Sequence, residues 1–212
     1  MESVLGNINP VLQMLTVMSL FSLLPFAFCC MTSFLRFTIV FSLLKTAMGV
    51  QVPPSIVTIG LCMILTFYTM GGVFEQMYER ASIPYQKNQN LIMAVNEGSK
   101  PLKEFMMKQT RESDLAFFVE LKRKAPPKSP EDLTLWEIAP AYILSELKVA
   151  FEIGFVVFVP FIVLDLVVAN ILLALGMFML SPTIISLPFK LLIFIAVDGW
   201  ALIVQGLVQS YN

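Results

Sequence analysis

Four long apolar runs set the pattern of this chain: Pro10 to Met31, Ser55 to Phe74, Leu147 to Leu180 and Thr183 to Val208. A helix of about 20 apolar residues crosses the roughly 30 Å hydrocarbon layer of a bilayer, so each run qualifies by length as a membrane span. Between the first two, residues 32–54 carry Arg36 and Lys45 among Phe37, Ile39, Val40, Phe41, Leu43 and Leu44, which predicts a fifth, amphipathic helix. The third run is too long for one straight span. Its 34 residues would reach about 51 Å as a helix, with Pro160 and Asp165 inside it. A kinked helix or a re-entrant hairpin is expected there. The turn Ser181-Pro182-Thr183 leads into the fourth run, which Pro188 is expected to interrupt near its start.

Residues 75–137 are different in kind. They hold ten of the 14 Lys and Arg and ten of the 15 Asp and Glu. Among those charges Leu91, Ile92 and Val95, then Leu102, Phe105 and Met106, then Leu115, Phe118 and Leu121 recur at helical spacing, which predicts an inserted amphipathic hairpin. Ala125-Pro126-Pro127-Lys128 stops it, and Ser129 is the expected N-cap of the next helix, with Pro130 at its first position and Glu131 and Asp132 following. Trp136 suits either a membrane interface or a packed core.

Composition sharpens the picture. Hydrophobic residues make up 57% of the 212 and charged residues only 14%, and mean hydropathy is +0.79, outside the soluble range. The chain is expected to be an all-α membrane protein of broken helical hairpins with an inserted soluble helical segment. Its organisation is read as N-terminal apolar helices over 1–74, the charged insert over 75–137, which is expected in the periplasm, and C-terminal apolar helices over 138–212. With a net charge of −1 and a balanced insert, nothing points to nucleic acid. The absence of histidine excludes Ser/His/Asp and Cys/His catalysis and HExxH metal sites. Cys29, Cys30 and Cys62 lie in apolar runs without CxxC spacing and read as buried small side chains. No enzyme of a familiar kind and no cofactor is expected. The first run begins near Met1, but Glu2 is acidic and the first positive charge is Arg36, so it reads as a retained helix rather than a cleaved signal. Arg36 and Lys45 in a short connection favour a cytoplasmic position for it, with both termini and the insert outside.

The run Pro140-Ala141-Tyr142-Ile143-Leu144-Ser145-Glu146-Leu147-Lys148-Val149-Ala150-Phe151-Glu152-Ile153-Gly154-Phe155 resembles the signature of the FliP/SctR family of type III secretion export-gate proteins. Further stretches agree: Pro160 to Ala169, Ala174-Leu175-Gly176-Met177, Ser186 to Lys190, Val197-Asp198-Gly199-Trp200, Met31 to Arg36, and Gln51-Val52-Pro53-Pro54. The resemblance extends over essentially the whole chain. It implies a pore-forming subunit of the export gate in the bacterial inner membrane, conducting unfolded secreted proteins and raised within the secretion apparatus towards the periplasm. It further implies a homo-oligomer, a pentamer, assembled with FliQ/SctS-like and FliR/SctT-like small membrane proteins. Flagellar members commonly carry a cleaved signal, so the retained first helix points to the injectisome branch. In such an assembly the apolar segments pack on neighbouring subunits, and four separate spans are not expected.

Ionisable residues inside apolar helices cost roughly 2.5 to 3.5 kcal/mol each on insertion scales, so they face protein or a water path. The set is Glu146, Lys148, Glu152, Asp165, Lys190 and Asp198, read chiefly as ion pairs between subunits. Lys190 finds no acid at i±3 or i±4, so Glu146 is its first expected partner, from a neighbouring subunit, and Asp165 its second. Met177-Phe178-Met179 ends the third run. In a chain with 13 Met, ordinary apolar packing is the first reading of such residues from the sequence alone; the resemblance reverses that preference, since by it they match a methionine-rich loop that serves as a gasket. The alternative is a small-ion or proton transporter using Asp165, Lys190 and Asp198; it would be favoured by an inverted repeat between the halves, and none is visible.

Overall fold

The computed structural model describes Met18, Ser22 and residues 25–50, 53–88, 91–121 and 133–211. Eight helices and no strands account for these residues: α1 (Pro25–Met31), α2 (Phe34–Met48), α3 (Ser55–Asn88), α4 (Leu91–Gln109), α5 (Glu112–Leu121), α6 (Leu135–Ala174), α7 (Pro182–Ala196) and α8 (Gly199–Gln209). The all-α membrane architecture holds, because α3 and α6 are each long and apolar enough to cross a bilayer. The bent pairs α1/α2 and α7/α8, at 78° and 63°, raise the candidate spans to four if each pair counts as one.

Several local expectations change. The third apolar run lies, as far as Ala174, in one unbroken helix of 40 residues that begins at Leu135 and carries Pro140 and Pro160 inside it, so of the two expected forms the re-entrant hairpin is the one that does not occur. A proline removes only its own N–H from the ladder, and the bonds of a long helix around it carry the segment through. Pro188 lies within α7 without ending it; the break comes at Val197–Asp198 instead. The start of α6 is Thr134, whose backbone N–H and hydroxyl both donate to the Glu137 carboxylate at 2.9 Å. The expected stop at 125–128 and the Ser129 cap lie outside the described residues, as does the first apolar run before Pro25 apart from Met18 and Ser22. Trp136 is 79% exposed, which removes the packed-core alternative.

The core gathers on α2. Phe37, Val40, Phe41, Leu44, Ala47 and Met48 are all buried there, covered by α6, by Phe194 of α7 and by Ile203, Leu207 and Tyr211 at the chain's end. At one crossing Gly154 of α6 meets the Leu43 side chain so closely that an added Cβ would require that side chain to move. The α2 helix ends at Gly49 (φ 71°), where Val50 N–H donates to Lys45 O and Gly49 N–H to Thr46 O, the crossed pair of bonds that closes a helix C-terminus. A second core joins the insert to α6 through Met106, Leu133, Ile138, Ala139 and Tyr142. Of the apolar positions expected to line the insert, Met106 is buried, Leu102, Phe105 and Leu115 are half-buried, and Val95 and Leu121 face outward.

Candidate functional site: an apolar hairpin tip and internal ion pairs

Helices α6 and α7 form a hairpin whose tip is set by its own sequence. Gly176 (φ 72°) takes the left-handed position that terminates α6; its N–H donates to Leu173 O, and Met177 N–H reaches back to Leu172 O at 2.9 Å. Ser181 and Pro182 then open α7. The four residues between are held outward. Met177 is 47% exposed, Phe178 76% and Met179 100%. The side chains of the hairpin arms, including Phe155, Ile162, Leu166, Ile184 and Ile195, are also exposed, an apolar surface far larger than water tolerates on a lone soluble chain.

Of the six charged residues expected to pair in this half, Glu146, Lys148, Glu152, Asp165 and Lys190 are partnered inside the chain and Asp198 is not, among the described residues. Asp165, sixteen residues before the turn at Ser181, and Lys190, nine after it, meet across the hairpin at 2.7 Å. Lys190 Nζ also donates to Ala47 O at 3.0 Å, in the last turn of α2, where carbonyls lack helical partners and the helix dipole favours a cation. Ser186 supplies a hydroxyl to Asp165. The first expected partner of Lys190, Glu146, is a turn-by-turn mismatch. It lies about 28 Å before Asp165 on α6 at 1.5 Å per residue, and it is engaged elsewhere.

That engagement is the most enclosed part of the molecule. Glu146 is fully buried and Arg36 is 2% exposed. Arg36 Nε donates to Glu146 Oε2 at 2.8 Å and its NH2 to the other carboxylate oxygen, a two-pronged pairing that matches guanidinium to carboxylate. Its NH1 donates to Ser210, to the hydroxyl at 2.8 Å and the carbonyl at 3.2 Å, and its NH2 also donates to Gln109 Oε1 at 3.5 Å. Tyr211 donates its hydroxyl to Glu146 at 2.6 Å and lays its ring 3.8 Å from the guanidinium carbon. Arg36 is therefore a buried structural cation within α2 and not a loop charge. The argument from Arg36 and Lys45 for a cytoplasmic first connection falls with it, since Lys45 too is within that helix.

A third pair ties the insert to α6. Asp114 of α5 is 3% exposed and accepts from Lys148 and, at 2.8 Å, from the Ser145 hydroxyl. Lys148 chiefly, with Ser145 and Arg111, holds its carboxyl below the usual carboxylate range against the opposing effect of burial. Arg111 pairs with Glu152 at 2.6 Å on the surface. Asp198 is exposed and makes no ion pair among the described residues. Sequence reasoning missed Asp114, Ser186 and Tyr211, whose partners lie between 21 and 65 residues away in the chain. No local spacing marks them. The described residues contain no group of three or more His, Cys, Asp or Glu placed to hold a metal ion.

Comparison with known proteins gives these features a context. The model of the FliP family matches residues 17–207. The flagellar biosynthetic protein FliP of Pectobacterium carotovorum subsp. carotovorum is 45% identical over 201 residues, covering 94% of this chain and 78% of that protein. FliP of Bacillus subtilis (strain 168) is 42% identical over 207 residues, covering 97% and 94%. The Yop proteins translocation protein R of Yersinia pestis is 42% identical over 209 residues, covering 95% and 96%.

Proposed function

We propose, from the premise that this chain belongs to the FliP family, that it is a pore-forming subunit of the type III protein export apparatus of the bacterial inner membrane. The observation that carries this reading is the α6/α7 tip, where Met177, Phe178 and Met179 project from a turn that Gly176 N–H on Leu173 O and Met177 N–H on Leu172 O close onto the end of α6. Flexible, polarizable side chains of that kind, contributed by several subunits around an axis, close a hole to water and ions and still yield to a passing unfolded chain. The exposed apolar arms supply the surface that neighbouring copies and lipid cover. In this reading the partners are further copies, a pentamer, together with FliQ/SctS-like and FliR/SctT-like subunits, and the cargo is secreted protein.

Relatives named for flagellar biosynthesis and for Yop translocation lie at 45%, 42% and 42% identity. Identity thus gives no preference for the injectisome branch over the flagellar one. Expression in strains lacking either the flagellar or the Yop-type relative separates them by which secretion returns.

Replacing Met177, Phe178 and Met179 together by Ala tests the gate itself. Ion or small-molecule leakage through the assembled complex should rise severalfold while assembly persists. Unchanged permeability in correctly assembled complexes removes these residues from the constriction.

A further inference from the structure

We infer that the α7/α8 junction is a hinge held bent by Tyr211, able to pass between the 63° pair described above and a straighter rod. The hinge itself is Asp198. Its backbone sits at φ 50°, ψ 50°, in the left-handed region that Asp enters more readily than most residues but still at a cost. Among the described residues it is the non-glycine at positive φ. Nothing local offsets that cost, because its side chain is exposed and caps neither helix. The backbone bonds around it simply end α7, with Asp198 N–H on Ile195 O, and begin α8, with Leu202 N–H on Asp198 O.

The restraint lies at the two ends of α8. At its start, the Phe194 ring packs against Gly199 where a Cβ could not fit, and stands edge-on to Trp200 at 5.3 Å between centroids. Beyond its last turn, Ser210 and Tyr211 hold Arg36 and Glu146, and the Tyr211 ring is stacked on Phe105 of α4 at 6.0 Å. Ile203, Leu207 and Tyr211, one face at helical spacing, are buried between these anchors. Bending is thus imposed by what α8 is tied to. Residues 182–209 would otherwise make a rod of about 42 Å, long enough to cross a bilayer in one piece. Release of the strap therefore exchanges a strained, packed pair for a continuous helix.

Spin labels on the exposed positions Ile184 and Gln205 read the change, with the full chain assembled in nanodiscs and diluted with unlabelled chain. Geometry gives a label separation about 4 Å longer for the straight rod than for a 63° bend at 1.5 Å per residue. The wild-type chain and Asp198→Gly, which accepts the left-handed backbone freely, should give the short distance. Tyr211→Phe, which keeps the ring and loses the hydroxyl, should add a minor long component, and Tyr211→Ala a larger one. The combination Tyr211→Phe with Asp198→Ala should raise the long component at least fivefold over Tyr211→Phe with Asp198→Gly. The Asp198 variants change only an exposed side chain, so they report even if Tyr211→Ala does not fold. A distance that stays short in Tyr211→Phe/Asp198→Ala overturns the hinge, as does a long component indifferent to whether residue 198 is Ala or Gly.

Discussion

Arg36 and Glu146 concentrate the largest single-residue effects. Removing one member of a buried, hydrogen-bonded pair leaves the other charge stranded, which typically costs about 3 to 5 kcal/mol, whereas replacing both by apolar residues of similar volume is often tolerated. Arg36→Met and Glu146→Leu should each sharply lower the thermal unfolding midpoint in detergent, and the double variant should recover part of the loss; a double variant as poor as the sum of the singles would contradict this. Asp114 gives a pH dependence of known sign. Its folded pKa is depressed below the ordinary 3.8, so its contribution is present above that ordinary value and is lost as pH falls through the lower, folded one. Unfolding midpoints should therefore decline as pH falls through and below the ordinary carboxylate range, and Asp114→Asn should flatten that decline while lowering stability at neutral pH. An equal slope in both proteins would deny the pair its role.

Two glycines govern how the helices end and meet. Gly176 needs φ 72°, so Gly176→Ala costs about 1 kcal/mol and should disturb the Met177–Met179 tip while the helical content measured by circular dichroism stays unchanged. Gly98 lets α4 approach α3 so closely that an added Cβ would lie 2.9 Å from Ala81 Cβ and 3.2 Å from Met77 O. Gly98→Val must push the two helices apart, because a backbone carbonyl does not yield as a flexible side chain does. Hydrogen exchange should then quicken across 77–104 more than elsewhere; uniform exchange in wild type and variant would show the contact to be slack.

At the scale of the molecule, an unpartnered chain exposes the apolar arms of α6 and α7 along most of their length, and only 17% of the apolar window of α6 is buried. In mild detergent the isolated subunit is expected to associate or aggregate, and native mass spectrometry should find a ring of one size when the chain is co-expressed with its small partners. A long-lived, monodisperse monomer would count against assembly as its stable state. The sequence by itself determined the helical membrane class and that the apolar segments around Pro160 and Pro188 are helices, because periodicity and hydropathy act over one helix. It left open whether Pro160 would kink the third run or turn it back, since a proline bends or interrupts according to what surrounds it. Only the tertiary structure decided the ion pairs. Arg36 meets Glu146 across 110 residues and Asp165 meets Lys190 across 25, and such distances are fixed by helix lengths, crossing positions and the turn between α6 and α7, not by any spacing along the chain. The bend at Asp198 belongs to the same class: an aspartate permits the left-handed backbone, but the packing of Phe194 on Gly199 and the hold of Arg36 and Glu146 on Ser210 and Tyr211 select it.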